Sequence, residues 1–209
     1  MQPWTRRFEI TSLLFFTCGI PEPAIALWPG FSRFPCSTTN NKRRSLEILK
    51  GNLIHVGVAE WKTARDPDAL RTTLGSCVGI VLYNAEHKIG GLAHVLLAEP
   101  PAGKIVNKGK YASSAIQALH TDLKKHGAEL TFTARIFGGA SMFESFHSSF
   151  LQNIGQANVQ TAKEALQKLN IPVLAEDVGG SAGRAITVYL DDGRILLRAN
   201  GKEKYIYKA

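Results

Sequence analysis

Cys77 and His94 are the two side chains of this sequence whose types and surroundings suit covalent chemistry. The segment Leu74-Gly75-Ser76-Cys77-Val78 sets a thiol directly after a Gly-Ser turn, at the mouth of the apolar run 78–83. Glycine lets the chain turn tightly there, and backbone N–H groups in such a turn can point at a substrate oxygen. The segment alone leaves a second reading open, because a lone cysteine in a strand is often a buried structural thiol. His94 sits in the next apolar run, 89–97, after a short reversal at 84–88. Counting from that reversal brings Cys77 and His94 to the same end of two adjacent strands. An imidazole within reach of a thiol makes thiolate available for attack on an acyl carbon. The alternative for His94 is a core histidine between Ala93 and Val95.

Other residues argue for less. His55, His87, His120, His126 and His147 fall on a strand, in a turn, on a helix or in a loop, and none stands in an HExxH, HxH or Cys/His pattern with metal-ligand spacing. Gly179-Gly180-Ser181-Ala182-Gly183-Arg184 lacks the ending of a phosphate-binding loop and leads into a strand, so it reads as a glycine-rich turn.

The elements that must carry these residues alternate along the chain. Residues 53–59, 78–83, 89–97, 130–137, 173–178, 184–190 and 194–199 read as strands, the last two joined by the hairpin signal Asp191-Asp192-Gly193. Tyr111, Ala115, Leu119 and Leu123 recur at helical spacing within 109–126, which ends at His126-Gly127. A second helix is expected from a cap at Asn153 through Val159, Ala162, Leu166 and Leu169, stopped by Asn170 and Pro172. The expectation is an α/β single layered domain with a mixed or antiparallel sheet and about two main helices.

Composition narrows the class further. Lys and Arg outnumber Asp and Glu by 25 to 17, giving a net charge of +8, but 7 basic and 3 acidic groups fall in the first fifty residues. The remaining lysines are scattered, with no aromatic run or helix-turn-helix to organise them, so a nucleic-acid partner is not expected. Three cysteines without a CxxC pair indicate a reducing compartment. Residues 1–45 hold five of the nine prolines and no lasting period, and are expected to be a disordered or unrelated N-terminal extension. A secretory signal is the competing reading, from Arg6-Arg7 ahead of the apolar stretch 10–20. That stretch is too short to span a bilayer, which takes about 20 residues. The folded domain is expected over 46–209.

Read in order, six blocks resemble one family: Leu74-Gly75-Ser76-Cys77-Val78, Gly91-Leu92-Ala93-His94-Val95, Gly109-Lys110-Tyr111-Ala112, Gly138-Gly139-Ala140-Ser141-Met142-Phe143, Asn153-Ile154-Gly155 with Asn158-Val159, and Ala175-Glu176-Asp177-Val178-Gly179-Gly180. Their order and spacing are similar to those of the chemoreceptor glutamine deamidase family CheD. The resemblance covers residues from about 53 to 198. It implies a fold similar to the deamidase domain of cytotoxic necrotising factor toxins and a cytoplasmic amidohydrolase that needs no cofactor. The implied activity converts glutamines of chemotaxis receptors to glutamates.

The same resemblance places the nucleophile at Cys77 and the histidine at His94, with backbone amides around 75–77 holding the oxyanion. The family's third polar residue is a threonine. The position six residues before the cysteine is Arg71 here, with Thr72 and Thr73 beside it, and Thr72 takes the orienting role. A CheC-type phosphatase is the further partner implied, and no membrane insertion is expected. The alternative from another class is a non-catalytic module that binds and regulates such a phosphatase.

Overall fold

The computed structural model describes residues 50–101, 103, 107–127, 129–141 and 149–206. Residues 1–49, and with them the readings for the N-terminal extension, lie outside the described residues, as do Met142, Phe143 and His147.

Ten strands form among the described residues. They are β1 (Leu53–His55), β2 (Glu60–Arg65), β3 (Ala69–Leu74), β4 (Val78–Asn84), β5 (Ile89–Val95), β6 (Thr133–Gly138), β7 (Val173–Val178), β8 (Arg184–Tyr189), β9 (Ile195–Ala199) and β10 (Lys202–Tyr205). Two helices join them, α1 (Ala112–Lys124) and α2 (Ser149–Lys168). The strands divide into two mixed five-stranded sheets, ordered β2-β5-β4-β6-β7 and β1-β3-β8-β9-β10. The α/β class is as expected, and the one layered sheet resolves into two.

β4 and β5 are buried along their whole length, which explains their continuous apolar sequences. Alternate residues serve two cores. Val78, Ile80 and Leu82 join Ala115, Ile116, Leu119, Ala162 and Leu166 beneath the helices. Val81 and Tyr83 face the other way, against Leu70, Ile186, Val188 and Leu197 of the second sheet. The layers are therefore helices, first sheet, second sheet. Trp61 on β2 adds a polar tie, its Nε1–H donating to Asp122 of α1 at 2.7 Å.

Three strands were not expected. β2 carries Glu60, Lys62 and Arg65 on a half-exposed edge, β3 reads Ala-Leu-Arg-Thr-Thr-Leu without a clean period, and β10 is exposed throughout. Each is a strand because a neighbour offers backbone partners: β2 along β5, β3 along β8 and β10 along β9. The second helix begins at Ser149, not at an Asn153 cap, so Asn153 lies inside it. The apolar residues Phe150 and Leu151 carry the sequence pattern back by a further turn. Its end is as expected, with Asn170 at φ 54° and Ile171 N–H bonded to Leu166 O.

Candidate active site

The second sheet contributes Thr72, in register with Ile186 of β8 and fully buried. The first sheet contributes His94, in register with Gly79 of β4 and 3% exposed. Both point into the seam between the sheets. Thr72 Oγ1 lies 2.8 Å from the Val56 carbonyl and 2.8 Å from His94 Nδ1. A carbonyl can only accept, so the hydroxyl donates to Val56 and accepts from Nδ1–H. That fixes the imidazole tautomer: Nε2 carries the lone pair, and it is buried without a hydrogen-bond partner. Of Arg71, Thr72 and Thr73, it is the Thr72 side chain that reaches the ring.

Cys77 is half-buried against the same inter-sheet core. It lies two residues before Gly79 on the same face, which makes it the diagonal cross-strand neighbour of His94. A Cβ at position 79 would stand 2.8 Å from Leu74 Cδ1, so any larger residue there would have to displace the Leu74 side chain. Thiol and imidazole thus flank one glycine without a hydrogen bond between them. Contacts between a nucleophile and its base commonly tighten only around substrate.

The electrostatics favour the neutral forms of both groups. Burial pushes the Cys77 thiol up, with its own backbone N–H opposing. Burial pulls His94 below its ordinary value, the charge of nearby His55 adds to this, and the Val56 carbonyl works the other way. A neutral thiol beside a neutral, singly oriented imidazole suits proton transfer during attack, and not a preformed thiolate–imidazolium pair.

Three loops hold this pair in place. Gly139 N–H bonds Cys77 O at 2.8 Å, and Ala140 N–H bonds Gly75 O at 2.9 Å. Gly138 has φ 102°, and a Cβ there would meet Cys77 O at 2.2 Å, so no other residue fits. Gly179 N–H then bonds Gly138 O at 2.9 Å, and Ser141 N–H bonds Gly180 O at 2.7 Å. Arg184, 6% exposed, pins that third loop by donating to Asp177 Oδ1 at 2.6 Å and to the Asp177 and Gly179 carbonyls. The glycine-rich segment is therefore a turn that braces the site, as its sequence suggests.

The strand end bearing His94 is braced from the other side. His94 O accepts from Ala59 N–H at 2.8 Å, and a Cβ at Gly109 would lie 2.1 Å from Ala59 O. Asn158 of α2, fully buried, donates to Leu96 O at 2.9 Å. Sequence reasoning gave no role to Val56, Arg184 or Asn158. Val56 acts through its backbone, which leaves no signal in residue type. The other two carried one, in Asn158 within a helix's apolar stripe and Arg184 at the start of a strand. Among the described residues, no cluster of His, Cys, Asp or Glu could hold a metal ion.

A thiol, a base and a tautomer-fixing hydroxyl converging at one seam have the parts of a cysteine hydrolase site. Over residues 96–199 the chain matches the family described as CheD chemotactic sensory transduction. It is 43% identical over 164 residues to a probable chemoreceptor glutamine deamidase CheD of Caldanaerobacter subterraneus subsp. tengcongensis, covering 76% of this chain and 100% of the relative. A stretch of that length necessarily spans residues 72–94. The Moorella thermoacetica relative of the same printed name is 43% identical over 162 residues, covering 74% of this chain and 95% of its own. The chemoreceptor glutamine deamidase CheD of Halalkalibacterium halodurans is 40% identical over 151 residues, covering 70% and 93%. The chain belongs to the CheD family. No helix among the described residues is long and apolar enough to cross a membrane.

Proposed function

We propose that the protein deamidates glutamine side chains of chemoreceptors through a thioester on Cys77. The observation that carries this reading is the Thr72–His94 contact, which leaves Nε2 as the free nitrogen on the face shared with Cys77. His94 Nε2 takes the thiol proton as sulfur attacks the carboxamide carbon, and backbone N–H groups of the Cys77 turn receive the developing oxyanion. The imidazolium passes that proton to the departing nitrogen, and ammonia leaves a thioester. Nε2 then deprotonates a water that attacks the same carbon, and thiolate departs, regains its proton and leaves glutamate.

The reaction asks only for an acid–base group that alternates roles, so the proposal involves no cofactor. Receptor cytoplasmic fragments are the substrate, the cytoplasm the compartment, and a CheC-type phosphatase a further partner, as the family resemblance implies.

Intact mass spectrometry of a receptor cytoplasmic fragment tests the proposal. Each conversion raises the mass by the difference between a hydroxyl and an amino group, whereas proteolysis shortens the chain. The rise is expected with wild type and absent with Cys77→Ala. No rise with wild type, together with undiminished phosphatase binding by Cys77→Ala, would favour the non-catalytic module instead.

A further inference from the structure

The β4–β6 ladder stops half-made at the nucleophile. Its last pair is Val78 with Gly138, so the next would be Cys77 with Gly139. Antiparallel partners of that kind exchange two hydrogen bonds. Only one is present, from Gly139 N–H to Cys77 O at 2.8 Å. The carbonyl that would close the pair, Gly139 O, is turned elsewhere by successive left-handed residues, Gly138 at φ 102° and Gly139 at φ 64°. It lies against Gly155 in the middle of α2, where a Cβ would stand 2.6 Å from the oxygen and 2.8 Å from its carbon. Among the described residues nothing accepts the Cys77 N–H, which sits beside its own sulfur.

Glycine is among the poorest helix residues, so one buried inside a 20-residue helix calls for a packing reason. We infer that Gly155 is a positioning residue: by admitting the Gly139 carbonyl to the surface of α2, it keeps that carbonyl off the Cys77 amide and leaves the N–H open as the oxyanion donor. The inference rests on the deamidase reading and deepens it. A Cβ at position 155 meets backbone atoms at under 3.0 Å, so the Gly139 peptide must retreat from the helix. Away from the helix lies the ladder, where the Cys77 N–H is the donor opposite Gly139 O in the unfinished pair. The closed ladder fills the hole while leaving thiol, imidazole and Thr72 in place.

Gly155→Ala tests this in the full chain with the receptor fragment as substrate. Loss of one oxyanion donor lowers kcat by about 100-fold or more, with KM unchanged. Alkylation of Cys77 by iodoacetamide passes through no oxyanion, so its rate and pH dependence stay at the wild-type values. A merely structural role would instead move melting temperature and labelling together with kcat. Unchanged kcat in Gly155→Ala, or labelling lost in step with kcat, would overturn the assignment. Wild type that releases no ammonia would overturn the deamidase reading, and this one with it. Should the variant not fold, amide hydrogen exchange in wild type decides: Cys77 N–H is expected to exchange at least tenfold faster than its strand neighbours Val78 and Gly79, and equal protection would refute the open donor.

Discussion

Replacing Thr72 by valine keeps the branched shape and removes one oxygen, the one that both orients His94 and fixes its tautomer. Two hydrogen bonds of 2.8 Å vanish together in a sealed site, since Thr72 is fully buried and His94 nearly so. Each buried group left unsatisfied costs about 1–3 kcal/mol. The two groups left behind, Nδ1–H and the Val56 carbonyl, are a donor and an acceptor on the same side, so a rotation of the ring pairs them in part. A net loss of about 2 kcal/mol in stability is the expected outcome. That same rotation withdraws Nε2 from Cys77. At about 1.4 kcal/mol per factor of ten, losing 1–3 kcal/mol of orienting energy lowers kcat roughly 5- to 140-fold. Ammonia release from a receptor fragment reads the second quantity and urea unfolding the first. Thr72→Ser restores both bonds, gives up one methyl group worth about 1 kcal/mol, and recovers most of the rate. Thr72→Val with kcat within about twofold of wild type would refute the orienting role, and so would Thr72→Ser as slow as Thr72→Val.

Burial holds the Cys77 thiol protonated at neutral pH, so its alkylation rate is expected to climb steadily with pH past the ordinary cysteine value of about 8.5, without a neutral plateau. A plateau at pH 6–7 would instead mean a preformed thiolate. His94 is held below its ordinary value of about 6.5, so the folded protein binds fewer protons there than the unfolded chain. Its contribution to stability is present above that value and is lost as pH falls through the folded pKa. Urea midpoints measured from neutral pH downward should therefore drop more steeply for wild type than for His94→Gln, and parallel slopes would contradict this. A chain starting at Leu46 is expected to keep the melting temperature and deamidation rate of the full protein, because about three quarters of the chain already covers the Caldanaerobacter relative end to end. Collapse of the truncated fold in thermal denaturation would show that residues 1–45 belong to it.

Much of the framework was legible because it rests on local pattern. β4 and β5 are apolar on both faces and announce themselves as buried strands, and the reversal between them sets the register that places Cys77 diagonal to His94. Asp191-Asp192-Gly193 marks the β8–β9 turn for the same local reason. The edge strands β2 and β10 gave no such signal, since a charged, half-exposed strand has the composition of a loop until a neighbour supplies its backbone partners.

The chemistry divides along the same line. Residue types and spacing by themselves brought one thiol and one imidazole to the same end of a hairpin, because both lie on adjacent strands and the distance between them is a matter of counting. Only the tertiary structure decided the rest. Thr72 meets His94 across the seam between two sheets, Val56 acts through a carbonyl that no side chain advertises, and Gly155 of α2 meets Gly139 where two backbones nearly touch. These contacts join segments far apart in the chain. They are fixed by how helices and sheets stack, which depends on the summed packing of both cores and on no single stretch of sequence.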